Sequence, residues 1–416
     1  MTLIKTSVLN GIAVVIKMLT LLGLNKILAI YVGPAGYAAL GQFQNAVQMI
    51  STFASGAINI GVTKYTAEYH DDEVKQHQVW RTAGTIALIG SLIAAALVIG
   101  FNRTLAGWFL KDEALGSVFI WFAATLVLFV FNTLLLAILN GKKEIHRYVV
   151  ANIAGSLFAL AVTSIMATQL GLYGALVALA VYQSLTFFVT LLLTYKAPWF
   201  KLSYLVGGID KQAAKNLAKY TAMALTSAAC VPLSHILIRN HLGETLGWAA
   251  AGYWEAMWRL SVAYLMVVTM TLSLYYLPRL AELKGPAEIK REILQGYKLI
   301  LPVAALCGLG IYLFRDFIIA LLFTSEFAPM RELFAWQMLG DALKISSWIL
   351  GYVLMARAFI GAYIVTELIF ASSFYLFVWG FSSLYGIEGA SMAYALNYVL
   401  HFLCMFFILK RKGIFS

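Results

Sequence analysis

Long apolar segments alternate with short polar connections along almost the entire chain. Runs able to cross a hydrocarbon core, which takes about 20 helical residues, fall at roughly 8–31, 36–62, 81–101, 117–139, 149–169 and 172–195. The second half gives roughly 217–241, 248–278, 297–314, 333–356, 362–382 and 389–409. None shows the alternating pattern of a membrane barrel, so helices are the elements that satisfy the backbone internally. The pattern predicts twelve transmembrane helices, six in each half of the chain.

The halves also share residues in register. Gly171-Leu-Tyr-Gly174-Ala175 returns as Gly386-Ile-Glu-Gly389-Ala390 about 215 residues later, and each copy opens an apolar run. Gly36-Tyr37 with Gly252-Tyr253, Lys64 with Arg279, Phe109 with Phe323, and Lys142 with Arg357 keep nearly the same offset. An even number of spans per repeat brings both halves into the membrane in the same sense. The expected fold is therefore two parallel six-helix lobes related by a pseudo-two-fold axis along the membrane normal, with a cavity between them. The N-terminal lobe is expected at 1–195, a cytoplasmic linker at 196–216 and the C-terminal lobe at 217–416. The outer connections near 102–116 and 315–332 match as well, each with a short apolar turn suited to an interfacial helix.

Composition agrees with an all-α integral membrane protein: 62% of residues are hydrophobic and 12% charged, the latter about half the share usual in soluble domains. The net charge of +11 would by itself admit nucleic acid as a partner. Sorting the basic residues with the N-terminus inside removes that reading. Twenty-one of the 30 fall on the cytoplasmic face, including Lys142, Lys143, Arg147, Lys196, Lys201 and the tail Lys410-Arg411-Lys412. Arg103, Lys111, Arg239, Arg315 and Arg331 fall outside, and four lie within spans. This is the bias that orients membrane proteins; it puts both termini in the cytoplasm and makes anionic membrane lipid, not nucleic acid, the expected contact. The first span is too long for a signal-peptide core and lacks a small-residue cleavage site, so it is expected to be retained. Cys230, Cys307 and Cys404 sit singly in different spans without metal-ligand spacing, and are expected as packing residues. Neither a cofactor nor a metal is expected.

The loops contain no nucleophile elbow, zinc-binding helix or phosphate-binding glycine loop, so the candidate chemistry lies inside the bundle. An ionisable residue costs about 2.5–3.5 kcal/mol at mid-span on insertion scales, and is retained for a partner or for function. Seven stand out: Lys17, Lys26, Glu255, Arg259, Asp341, Lys344 and Glu367. Glu255 and Arg259 share a helix face at i,i+4, and Asp341 and Lys344 at i,i+3, so each can form a pair. Both pairs admit two readings, a structural ion pair or the lining of a hydrated cavity. Lys17 extends a polar stripe with Thr6, Asn10 and Thr20, whereas Lys26 lies on the opposite face near the outer end. Glu367 is either an interfacial group or a proton site. On span 2, Gln44, Asn45 and Gln48 are candidates for sugar hydroxyls or for hydrogen bonds between helices. His235, after Pro232 in span 7, reads as a packing histidine or a pH switch.

The segments GPAGYAALGQFQN (33–45), GVTKYTAEYHDD (61–72) and LLFTSEFAPMRELFAWQMLGDALKI (321–345) resemble those of Wzx-type flippases of enterobacteria. Those of O antigen and of the enterobacterial common antigen lipid are the most similar. The similarity runs the whole length of the chain. The resemblance implies the multidrug/oligosaccharidyl-lipid/polysaccharide exporter superfamily, whose fold is two six-helix lobes. It implies a substrate, undecaprenyl-pyrophosphate-linked oligosaccharide, moved from the cytoplasmic to the periplasmic leaflet of the inner membrane, with other polysaccharide-assembly proteins as further partners.

Lipid flippases of this superfamily carry basic residues on spans 1, 2 and 8. Lys17, Lys26 and Arg259 match spans 1 and 8 by helix and depth, while span 2 carries amides in place of a cation. A pyrophosphate diester needs cations in a low-dielectric cavity, so Lys17 and Arg259 are expected as its first contacts, followed by Lys344 and Lys26. Glu255, Asp341 and Glu367 are the candidates for ion coupling or for pairing those cations. Two other functions fit the composition. A drug or organic-cation exporter of the same fold would need a net anionic cavity. A membrane-embedded polymerase or ligase would need larger periplasmic loops.

Overall fold

The computed structural model describes residues 3–283, 285–357 and 359–415, and the side chains from residue 11 onward except at 219, 220, 223, 271, 273, 274, 278 and 281. Thr6 and Asn10 of the expected polar stripe lie outside the described side chains. Every regular element among the described residues is helical. In the first half these are α1 Leu3–Ala54, α2 Asn59–Glu68, α3 Glu73–Gly100, α4 Asn102–Phe109, α5 Gly116–Gly141 and α6 Ile145–Tyr195. Next come α7 Lys211–Leu246, α8 Trp248–Thr271, α9 Leu277–Glu282, α10 Pro286–Leu313, α11 Arg315–Leu322, α12 Phe334–Ala356, α13 Ile360–Tyr385 and α14 Glu388–Arg411. A π-turn at Leu272–Tyr276 carries α8 into α9.

Eight helices among the described residues are long and apolar enough to cross a membrane. Two of them are double: α1 turns at Gly33 (φ 67°) and α6 at Gly171 (φ 57°), so each supplies two spans. Counted with α7 and α8, the long helical limbs among the described residues number twelve, the number of spans the apolar pattern predicts. One boundary differs from expectation. The run at 36–62 is split, because α1 stops at Ala54 and the chain turns through Gly56 (φ 67°) and Ala57 (φ 53°) before α2.

The chain forms two compact units, one comprising the residues up to Val32 with Ala39–Pro232, the other Gly33–Ala38 with Leu233 onward. Unit 1 has a core built from Ile58, Val62, Trp80, Leu134, Ile138 and Leu217. The connection at 196–216 is folded onto this unit. Ala197, Phe200 and Leu205 enter its core, Trp199 Nε1 donates to Glu144 Oε1 at 3.0 Å, and the Asp210 amide donates to Thr82 Oγ1 at 3.0 Å. Unit 2 has one core around Leu272, Ile293, Ile349, Val353 and Leu409, and a second around Trp254, Phe374, Val378 and Tyr394.

The segment Gly33–Ala38 belongs to unit 2 because α8 is cut away to receive it. A Cβ on Gly252 would lie 1.7 Å from the Pro34 carbonyl oxygen, so only glycine permits this approach. Tyr37 is then fully buried, with ring centroids 6.1 Å from Phe323 and 5.2 Å from Phe327.

The internal repeat is also a repeat of backbone geometry. Gly171 (φ 57°, ψ −135°) turns α6, and Gly386 (φ 60°, ψ −142°) caps α13 ahead of α14. Side chains avoid this left-handed region, which glycine enters freely. Three residues on, a Cβ at Gly174 would meet the Met166 carbonyl oxygen at 1.9 Å, and one at Gly389 would meet that of Phe381 at 2.3 Å. The expected short outer helices are α4 and α11, eight residues each. Lys142 and Arg357 occupy the same position, the C-cap of α5 and of α12.

Candidate functional site

One charge of α7 and the two of α8 meet inside unit 2. Glu255 Oε1 accepts from Arg259 Nε at 2.8 Å, so the pair expected from the i,i+4 spacing is present. Its other oxygen, Oε2, accepts from Arg239 Nη1 at 3.2 Å. The sequence reading put Arg239 in an outer connection. In the structure it lies on α7 with 1% of its side chain exposed, its guanidinium 5.7 Å from the Trp254 ring. Its position beside Glu255 follows from the helix hairpin at Gly247. The two residues are equally far from that turn along antiparallel helices, and therefore at the same depth. That symmetry is readable in the sequence once the turn is placed. Sorting Arg239 as a loop cation hid it.

Arg259 is the most open member, with 16% of its side chain exposed against 6% for Glu255. Its guanidinium also lies 5.5 Å from the Tyr37 ring, a cation–π distance. Two guanidiniums thus share one carboxylate, which leaves this triad with a formal surplus of one positive charge.

The second expected pair is not an ion pair. Asp341 and Lys344 are both buried on α12, but no contact within 4.0 Å joins their charges. Asp341 instead accepts three hydroxyl hydrogen bonds, from Ser261 and Tyr264 at Oδ2 and from Tyr394 at Oδ1, each 2.7 Å. Gln337 Nε2 supports Ser261 at 3.1 Å. The Lys344 ammonium lies in an aromatic box, 4.5 Å from the ring centroid of Trp258, 4.8 Å from Trp348, 5.5 Å from Tyr398 and 5.6 Å from Tyr394. Each acid thus has donors and each cation has faces of negative quadrupole, which lowers the cost of burying them without a direct pair.

Tryptophans connect the two groups. Trp254 and Trp258 lie 5.8 Å apart, the former against Arg239 and the latter against Lys344. His235 packs edge-on against Trp258 at 4.3 Å and Trp254 at 5.4 Å, the packing role among its two readings. Glu367, half-buried on α13, is bonded by Tyr363 and lies near Tyr398. His401, on α14, contacts Ser347 and faces Phe370 at 4.6 Å.

The remaining candidates lie in unit 1. Lys17 is exposed and Lys26 half-buried on the first limb of α1. On its second limb Gln44 and Gln48 are exposed, while Asn45 Nδ2 donates to the Pro232 carbonyl at 3.5 Å. Of the cysteines, Cys307 is exposed, and is not the packing residue expected. No three His, Cys, Asp or Glu side chains converge as metal ligands among the described residues.

Comparison with known proteins places this arrangement in a family. The model of the polysaccharide biosynthesis protein family matches residues 3–284. The lipid III flippase of Escherichia coli strain K12 is 31% identical over 415 residues, covering 99% of this chain and the whole of that one. Among solved structures, an inward-facing multidrug transporter of the MATE family superposes with a TM-score of 0.76 at 15% identity, covering 95% of each chain. The lipid II flippase MurJ, inward closed, superposes at 0.74 and 12% identity, covering 98% of this chain and 87% of that one. These neighbours share the fold. The family model and the full-length relative go further: the chain belongs to the polysaccharide biosynthesis protein family and is a Wzx-type member of the multidrug/oligosaccharidyl-lipid/polysaccharide exporter superfamily.

Proposed function

We propose that this protein is a flippase of the bacterial inner membrane. It moves undecaprenyl-pyrophosphate-linked oligosaccharide, an O-antigen unit or a related surface polysaccharide, from the cytoplasmic to the periplasmic leaflet. The observation that carries this reading is the 31% identity, end to end, with a lipid III flippase. The cation surplus of the Arg239–Glu255–Arg259 triad supports it, because a pyrophosphate diester brings about two negative charges that need cations in a low-dielectric site. Arg259 on α8 and Lys17 on α1 are the proposed first contacts, followed by Lys344 and Lys26. Gln44 and Gln48 are proposed sugar contacts; Asn45 shares their limb. The polyprenyl tail stays in the lipid while the head passes by alternating access through a partly cationic cavity. Both termini lie in the cytoplasm, and proteins of polysaccharide assembly are proposed partners.

The fold alone also suits a drug exporter, since a MATE multidrug transporter shares it. A site for organic cations, however, would not place two guanidiniums on a single carboxylate. A polymerase or ligase would need larger periplasmic loops than the short connections of this sequence offer.

Complementation of a flippase-null strain, scored by surface polysaccharide, tests the proposal. Wild type should restore the polysaccharide, and Lys17→Ala or Arg259→Ala should abolish it while protein stays in the membrane at normal levels. A wild type that never complements removes the function. Full activity in both variants removes the site.

A further inference from the structure

The end of α1 falls at mid-span. A Cβ on Gly90 would lie 2.3 Å from the Ala54 carbonyl oxygen, and Gly90 is at the centre of the apolar run 81–101. Non-helical backbone at such depth is tolerated only where protein covers it or where it lines a cavity. Here it lines a cavity. A part-open space of about 210 Å³ within unit 1 lies between this break, α5 and α7. Polar groups gather around it: Ser51, Thr52 and Ser55 from the end of α1, Asn59 from the start of α2 and Thr133 from α5, with the Phe129 ring beside them. Ala57, also in the lining, holds a left-handed φ of 53°, a conformation that side chains avoid. Such strain persists where the surroundings enforce it, and it clusters at ligand sites.

The lining is neutral and rich in acceptors. The Ser51 and Thr52 hydroxyls donate to the Gln48 carbonyl at 3.2 and 2.8 Å, Ser55 to that of Thr52 at 2.9 Å and Thr133 to that of Val130 at 2.8 Å. Back-bonding of this kind is ordinary for hydroxyls in membrane helices. It commits each proton and leaves each oxygen able to accept. The half-buried Asn59 amide adds donors and a further acceptor. No ionisable side chain is among the described lining residues, so the space suits neither a diphosphate nor, lacking carboxylates, a divalent cation. It suits a ring that bears hydroxyls. Its volume is below the roughly 300 Å³ at which pockets for drug-sized ligands begin, the scale of one sugar ring and not of a whole oligosaccharide. Gln44, Gln48, Ser51 and Ser55 follow at i, i+4, i+7 and i+11, so the proposed sugar contacts share one helix stripe with the cavity.

We propose that this cavity is a saccharide subsite. It receives one neutral sugar ring of the lipid-linked unit, hydrogen-bonded by Ser55, Asn59 and Thr133 beside Phe129, and so selects among units by their sugar. The inference rests on the flippase reading and names a part of the substrate, apart from the diphosphate, that unit 1 recognises.

The test starts from complementation of flippase-null strains that make different units. The undecaprenyl-diphosphate-linked unit is extracted from a strain that wild type restores, and its binding to the purified full-length protein is compared with that of undecaprenyl diphosphate. Wild type should prefer the glycosylated lipid by about tenfold or more. Thr133→Val combined with Asn59→Ala should weaken binding of that lipid by about tenfold or more, the scale of two lost hydrogen bonds, and leave undecaprenyl diphosphate within about threefold of wild type. Equal binding of the two lipids by wild type, an undiminished preference in the double variant, or an equal loss for both lipids overturns the inference. A sodium requirement for binding that the double variant removes overturns it in favour of a cation site. Should the double variant not accumulate, Thr133→Val decides: it removes the hydroxyl, keeps the shape of the side chain, and should weaken the glycosylated lipid alone by about threefold or more. Failure of the flippase reading looks different, since wild type then restores polysaccharide in no strain.

Discussion

At the scale of single residues, this protein solves the burial of charge in two ways. Glu255 takes two guanidiniums at 2.8 and 3.2 Å, whereas Asp341 takes three hydroxyls at 2.7 Å. The second solution depends on complete satisfaction, since a buried acceptor that loses a donor pays its desolvation in full. Tyr394→Phe removes the Oδ1 donor and nothing else of size. It should lower stability by about 1–3 kcal/mol, measured as an earlier thermal transition in detergent, while Tyr375→Phe, at a half-buried position on α13, should have little effect. The i,i+4 spacing made the Glu255–Arg259 bond legible in advance. The i,i+3 spacing did not do the same for Asp341 and Lys344, because neighbours on α8 and α14 supply better partners than either offers the other.

Elements carry the duplication. Gly171 and Gly386 repeat one left-handed conformation, and Gly174 and Gly389 repeat one close approach to a carbonyl oxygen. A methyl group at either of the latter sites has backbone as its obstacle, so relief requires the turn to open. Gly174→Ala and Gly389→Ala should each destabilise by about 1–3 kcal/mol, the range for overpacking, with reduced membrane yield as the readout. An unchanged yield and melting temperature in both would show that the turns tolerate displacement. The spans and short outer helices were legible because apolar length and the repeat both mark them. The end of α1 at Ala54 was not: the apolar run continues through Ile58 and Ile60 without a polar break, and the turn is made by backbone conformation.

For the whole molecule, scaffold and chemistry follow different rules. The positions offset from Glu255, Arg259, Asp341 and Lys344 by the repeat are Ala39, Phe43, Leu126 and Phe129. Phe43, Leu126 and Phe129 are buried in unit 1, where Phe43 packs on Phe119 at 5.2 Å and Phe129 on Phe122 at 6.1 Å. One copy of the repeat thus has an apolar interior where the other has an ionisable one. Transport of a head carrying about two negative charges outward is favoured by an inside-negative potential, by roughly 2.3 kcal/mol per charge per 100 mV. Collapsing the potential with valinomycin and potassium in vesicles should therefore slow transfer, with the pH gradient held at zero. A rate that follows the pH gradient alone would point instead to proton coupling through Glu367, Asp341 or Glu255.

Sequence by itself determined the membrane class, the twelve spans, the duplication and the set of embedded charges except Arg239. Each follows from local composition or from a period, and needs no knowledge of which helices touch. Tertiary structure alone decided the partners: Arg239 on Glu255, three hydroxyls on Asp341, four rings around Lys344, and Gly33–Ala38 seated against Gly252. The physical reason is that burial energy depends on the atoms that replace water around a charge. Those atoms come from helices far apart in the chain, so no spacing along one helix encodes them.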